Sequence, residues 1–211
     1  MSSEKPVDRR RFFSHTLREL IRPLADAIEP IEDALRQITD MEDLPGEPDA
    51  NRIAREYSLR PPGALPEKQF FETCSRCAEC VRVCPAQCIK LDPTGERGGG
   101  LPYIEIDAMP CVVCDGLKCM HACPTGALAP VPLGDIDMGT AVWNEQVCVR
   151  KRGEDCTICI DQCPVGSVAI ELVGNDVQVH PQGCIGCGVC QFYCPTKPKS
   201  IVVIPRSARD R

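Results

Sequence analysis

The spacing of cysteines constrains this chain more than any other feature. Four times between residues 74 and 194, a run of four cysteines closes with x3-Cys-Pro. The first run is Cys74-x2-Cys77-x2-Cys80-x3-Cys84, followed by Pro85. The fourth, Cys184-x2-Cys187-x2-Cys190-x3-Cys194 and then Pro195, repeats that spacing. The second is Cys111-x2-Cys114-x4-Cys119-x3-Cys123, then Pro124. The third is Cys148-x7-Cys156-x2-Cys159-x3-Cys163, then Pro164.

Three chemistries use dense cysteines: disulfides, zinc and iron–sulfur clusters. The total of 17 cysteines is odd, which argues against complete disulfide pairing. Zinc sites built from CxxC pairs have no need of a third and fourth cysteine in each run. Neither zinc nor disulfides give a reason for the proline. The iron–sulfur reading gives both. Two-residue gaps let one tight loop carry three thiolates to three corners of a cube, with amide N–H groups facing its sulfurs. The fourth cysteine then points to a different cube, and proline fixes the following turn. The sequence therefore predicts four [4Fe–4S] clusters on sixteen ligands: Cys74, Cys77, Cys80, Cys84, Cys111, Cys114, Cys119, Cys123, Cys148, Cys156, Cys159, Cys163, Cys184, Cys187, Cys190 and Cys194. The seven-residue gap after Cys148 leaves a [3Fe–4S] centre or an empty site open in the third run. Cys88 is left over and reads as core packing. His121 reads as structural, and Trp143 as packing beside a cluster.

Composition agrees. Hydrophobic content is an ordinary 43%, yet aromatics fall to 4%, so something else must fill space that rings usually fill, and buried inorganic clusters are a candidate. There is no Ser–His–Asp set, phosphate loop or dinucleotide fingerprint, and Gly98–Gly100 lacks the Lys and Ser/Thr of a phosphate loop. The expectation is a chain without its own substrate site. The net charge of −6 and the lack of a long basic stretch count against nucleic acid. Four cube-and-thiolate centres, each near −2, would take it to about −14. That favours redox protein partners with basic docking faces. No run approaches the length of a membrane span.

The chain divides at about residue 60. Residues 1–60 carry no cysteine and read as an amphipathic helical arm and linker, and residues 61–211 as the four-cluster domain. In the arm, Leu17, Ile21, Leu24, Ile28, Ile31, Leu35 and Ile38 form one helical stripe, divided by Pro23 and Pro30. Arg9, Arg10 and Arg11 before Phe12 and Phe13 have the look of a twin-arginine export motif. The apolar run such a signal needs is interrupted by Arg18, Glu19, Arg22, Asp26 and Glu29. The expected location is cytoplasmic, on a membrane only through a partner, with periplasmic export as the alternative. Leu59-Arg60-Pro61-Pro62-Gly63-Ala64 reads as the turn-rich linker. Strands are expected at Ile89–Leu91, Tyr103–Ile106, Leu128–Val131, Ala141–Trp143, Val168–Leu172, Asp176–Val179 and Ile201–Ile204. The fold expected is α+β: tandem, pseudo-symmetric ferredoxin-like modules with an N-terminal helical arm.

From about Leu59 to Ile204 the chain resembles the NapG/MauM ferredoxin-type proteins. The resemblance rests on Leu59–Ala64, Pro110-Cys111-x2-Cys114, Cys123-Pro124-x-Gly126-Ala127-Leu128, Met138-Gly139-x-Ala141-Val142 and the Cys148-x7-Cys156 spacing. It implies an electron relay between a membrane or quinol-linked donor and a terminal oxidoreductase. A permanent iron–sulfur subunit of a molybdopterin-reductase or hydrogenase type is the alternative. By analogy with related four-cluster subunits, it also implies nested pairing. Cys74, Cys77 and Cys80 would then be completed by Cys194, and Cys184, Cys187 and Cys190 by Cys84. Cys111, Cys114 and Cys119 would be completed by Cys163, and Cys148, Cys156 and Cys159 by Cys123. Pairing of the first run with the second and the third with the fourth stays open.

Overall fold

Twenty prolines and sixteen glycines in the sequence go with short elements among the described residues, none longer than the seven residues of Glu67–Thr73. In the computed structural model, residues 57–209 are described except 94 and 96–98, together with 50 and 53. The Arg9–Phe13 motif and the Leu17–Ile38 stripe lie outside the described residues.

The first half carries α1 (Glu67–Thr73), α2 (Glu79–Val83), β1 (Ile89–Leu91), β2 (Pro102–Ile104) and α3 (Lys118–His121). β1 and β2 pair antiparallel, Ile89 opposite Ile104 and Leu91 opposite Pro102. The second half carries β3 (Gly139–Trp143), α4 (Ile158–Asp161), β4 (Ile170–Val173), β5 (Asp176–Val179), α5 (Val189–Tyr193), β6 (Ile201–Pro205) and α6 (Arg206–Arg209). β4 and β5 form an antiparallel hairpin, and β3 pairs antiparallel with β6 from Gly139–Pro205 to Trp143–Ile201. The halves correspond. In each, a helix inside a cysteine run leads to a hairpin and then to a second such helix. α2 packs on α3, and α4 on α5.

The expected strands appear with three differences, the first being that Tyr103–Ile106 is cut to Pro102–Ile104, as the chain turns at Ile106. Leu128–Val131 shrinks to a single bridge between Ala64 and Leu128. Pro130 and Pro132 have no N–H to extend the ladder. The run at Val168–Leu172 begins instead with a 3₁₀ turn over Gly166–Val168, and the strand starts at Ile170.

Leu59–Ala64 is not a linker. Leu59 and Arg60 are buried, and Pro61 and Pro62 fully so. Leu59 bridges to Ile104. The Arg60 guanidinium forks onto the Glu67 carboxylate, donates to the Pro102 carbonyl at 3.0 Å and stacks over the Phe70 ring. A buried charge needs such a full set of partners. Phe70, with no exposure, contributes roughly 2–3 kcal/mol by burial. Gly63, at φ +76°, lies where a Cβ would stand 2.3 Å from the Ala129 carbonyl oxygen. The stretch predicted as a spacer is thus part of the packed body, because two prolines and a glycine form a rigid seam as readily as a turn.

The halves meet through backbone bonds at the cysteine runs. Cys111 N–H donates to the Cys187 carbonyl at 3.1 Å, and Met138 N–H to that of Ile185 at 3.2 Å. Buried Gln191 ties them further. Its amide donates to Asp107 at 3.1 Å, and its carbonyl accepts from Val203 N–H at 2.8 Å.

Candidate cluster-binding site

The first, second and fourth cysteine runs make concave loops. In the first run Arg76 and Ala78 adopt left-handed φ values of 60° and 61°, and in the fourth Gly186 and Gly188 do so at 72° and 87°. These occupy the same two positions between cysteines. Alternating hand turns successive N–H groups to one side, the nest geometry that receives anions. For Arg76 and Ala78 this conformation costs about 1–2 kcal/mol per residue, an expense folds keep where function needs the shape. Val113 and Leu117, at 50° and 39°, do the same in the second run.

The thiols then gather across runs. Cys74, Cys77, Cys80 and Cys123 line one pocket, with Phe70, Leu91 and Leu128 as apolar wall. Cys163, Cys184, Cys187 and Cys190 line another, walled by Ala141, Ile170 and Val203. Neighbouring thiols define the other two groups. Burial pushes Cys119 up to about 12, and the nearby Cys111, Cys114 and Cys84 push it the same way. Burial likewise pushes Cys159 up to about 12, reinforced by Cys156, Cys194 and Cys148. These sets are called here the first cage (Cys74, Cys77, Cys80, Cys123), the second (Cys111, Cys114, Cys119, Cys84), the third (Cys148, Cys156, Cys159, Cys194) and the fourth (Cys184, Cys187, Cys190, Cys163).

This corrects the nested pairing. Cys123, not Cys194, stands with the first run, and Cys194 stands with the third. The physical reason is locality. α2 and α3 pack together across one short hairpin, and α4 and α5 across another, so each run finds its partner in the neighbouring run.

The first and fourth cages have linings that fit cubes. Each pocket is ringed by four thiols, three from one concave loop and one from the partner loop, with apolar walls that exclude water. Among the described residues, no three His, Cys, Asp or Glu side chains converge as ligands of a single metal ion. Further donors aim at the sulfurs. Leu128 N–H reaches Cys123 Sγ at 3.4 Å, and Ala141 N–H reaches Cys184 Sγ at 3.4 Å. Burial pulls Cys123 up, but Leu128 N–H and Thr125 outweigh it and leave this thiol below its ordinary value. Burial holds Cys80 up at about 11 and Cys187 up at about 12, and Cys190 well above the usual range. Such thiols give up protons only as metal binds, so loading is coupled to proton release.

The leftover residues fall as follows. Cys88 is buried, its Sγ 3.5 Å from Cys84 Sγ. Its thiol also holds Cys111 below the ordinary thiol value, so it touches two members of the second cage besides filling the core. His121 is exposed at the end of α3. Trp143 lies under the Lys151 ammonium, 5.8 Å from the ring centre, with its indole N–H buried and unpartnered. The sequence reading missed the hydroxyls around Cys194: Thr196 Oγ1 and Ser200 Oγ each lie 3.2 Å from its sulfur. The available signal was Cys-Pro-Thr, present at Cys123–Thr125 and Cys194–Thr196 but not after Cys84 or Cys163.

A 4Fe-4S dicluster domain matches residues 73–127, the stretch that holds the first two runs. The methylamine utilization ferredoxin-type protein MauM of Methylorubrum extorquens is 38% identical over 165 residues, covering 72% of this chain and 75% of that protein. MauM of Paracoccus denitrificans is 37% identical over 161 residues, covering 71% and 72%. The ferredoxin-type protein NapG of Escherichia coli is 35% identical over 164 residues, covering 71% of each. The chain belongs to the MauM/NapG ferredoxin-type family. It is accordingly an iron–sulfur electron-transfer protein and not an enzyme, and its domain is of the 4Fe-4S dicluster ferredoxin type with mixed helix and strand. The resemblance first drawn from Leu59–Ala64 and the Cys148-x7-Cys156 spacing thus holds across most of the chain. Among the described residues no helix is long and apolar enough to cross a membrane.

Proposed function

We propose that this MauM/NapG-type chain holds four [4Fe–4S] clusters in two tandem dicluster modules and passes single electrons along them. All sixteen cysteines of the four runs are the ligands, divided among the four cages as grouped above. The clusters would supply one-electron storage. The chain supplies burial, thiolate ligation and hydrogen bonds that set each potential. The order of travel is first, second, fourth and third cage. The observation that carries this order is the contact between Cys111 and Cys187, where the second and fourth cages meet through a backbone hydrogen bond. Elsewhere each pair is joined by its exchanged fourth cysteines.

The donor is a membrane or quinol-linked protein and the acceptor a terminal oxidoreductase. The charge of −6, made more negative by loading, favours basic docking faces on both. The charged residues after Arg9–Phe13 favour the cytoplasmic side, residues 12–38 then serving as a docking arm. Mass spectrometry of the native N-terminus tests this. An intact chain supports it, and a shortened periplasmic chain would replace it with export.

A second reading, a permanent subunit of a larger oxidoreductase, is favoured by the exposed Val168, Leu172 and Val173 along and just before β4. Co-purification with a catalytic chain in fixed ratio would establish it over a mobile carrier.

Iron and sulfide analysis of anaerobically purified protein tests the central reading. The expected content is about sixteen irons and about sixteen sulfides per chain. A content of about eight of each would mean that one module carries no clusters.

A further inference from the structure

We propose that Thr196 and Ser200 make the third cage the highest-potential centre of the four, and so the place where electrons collect. The proposal rests on the reading above, in which Cys194 completes the cage of Cys148, Cys156 and Cys159.

Cys194 is buried, and its sulfur has two hydroxyl oxygens at 3.2 Å. A sulfur bound to iron carries no proton, so both hydroxyls must donate to it. Thr196 is already oriented for this. Its oxygen accepts the Ser200 N–H at 2.8 Å, which leaves its O–H for the sulfur. Thr196 and Ser200 are themselves buried, so water does not compete for these bonds. Lys199 adds a cation, its ammonium donating to the Cys194 carbonyl at 2.7 Å and the Phe192 carbonyl at 3.1 Å. Reduction adds one negative charge to a cluster. Donors to its thiolates and a nearby cation both favour the reduced state, and raise the potential.

The other cages are less endowed. In the first, Cys123 gathers the amides of Leu128, Thr125 and Ala127, but its one hydroxyl, Thr125, is exposed and 3.7 Å from the sulfur, and the cation, Arg76 on the Cys74 carbonyl at 3.3 Å, is exposed as well. In the second, the corresponding residue after Cys84-Pro85 is Ala86, and Cys84 has the weak thiol donor Cys88. In the fourth, Val165 follows Cys163-Pro164, and Cys184 has the single amide of Ala141. With the third cage at one end of the path, this ranking places the stored electron beside the surface from which it leaves.

The test is an anaerobic redox titration of the full chain followed by electron paramagnetic resonance. Thr196→Val/Ser200→Ala should lower the reduction equilibrium of one component about tenfold, about 59 mV for one electron. Iron content should stay unchanged. The component that moves should be the one altered by Cys159→Ser. Ser200→Thr, which keeps the hydroxyl, should leave that component close to its potential in the unsubstituted chain. Full iron with no shift overturns the proposal. A shift in the component altered by Cys77→Ser instead would show that Cys194 completes the first cage, so that the pairing fails rather than the tuning. Should the double variant lose iron, Ser200→Ala alone decides by the same readout.

Discussion

The two halves of the molecule solve one problem with different degrees of enclosure. In the second half the outer strands β3 and β6 pair over five residues, while in the first half the described residues flanking the cysteine runs meet in single bridges, Leu59 to Ile104 and Ala64 to Leu128. The first loop tolerates strained Arg76 and Ala78 where the fourth uses Gly186 and Gly188. Exposure follows. At the first loop Cys77 stands open to solvent and Cys80 alone of the four cysteines is buried, whereas at the fourth Cys187, Cys190 and Cys194 are all buried. The same ligand geometry can thus be held by a locally strained, open loop or by close backbone packing. The open version leaves a cluster near the surface, and the packed version shields it and commits more of the fold to it.

That difference can be broken by mutation. The largest effect is expected from Cys190→Ala. Its thiol lies deep in the second half, so losing its cube should also remove the cooperative thermal transition of that half, as lost metal sites cost folding energy directly. Cys77→Ser should lose no more than one cluster and leave the remaining transition in place. Circular dichroism melting with iron analysis compares the two variants, and equal damage would erase the proposed contrast.

Gly186→Ala tests the packing itself. An added Cβ would stand 2.4 Å from Gly139 N at a φ of +72°, so destabilisation of about 3 kcal/mol or more is expected from strain and overpacking. Ala78→Gly, the converse change in the open loop, should stabilise by about 1 kcal/mol, since glycine adopts a left-handed φ without steric cost. Denaturant midpoints measured without oxygen would check both signs. A stabilising Gly186→Ala would contradict the close approach of β3 to the fourth loop.

Much of this was legible in the sequence. The x3-Cys-Pro runs named the candidate ligands, because cube geometry leaves few spacings that work. The strand at Ile89–Leu91 and the hairpin strand at Asp176–Val179 were plain from β-branched residues and flanking turn formers. Pairing of the runs was not legible. Spacing within a run says that its fourth cysteine leaves for another cube, but which cube depends on helix packing between runs. The Leu59–Ala64 seam was misread for a similar reason, since Pro-Pro-Gly marks rigidity without saying whether the rigid piece is exposed or buried. Thr196 and Ser200 went unnoticed because a hydroxyl matters only once the turn after Cys194 folds it back onto the sulfur.

The central claim, two tandem pairs of clusters, is tested most directly by iron counts in paired substitutions. Cys77→Ala and Cys123→Ala should each cost one cluster, and the two together should still cost only one, because both remove ligands of the same cage. Cys77→Ala with Cys194→Ala should cost two. Loss of two clusters in the first combination and one in the second would contradict tandem pairing and restore the nested arrangement.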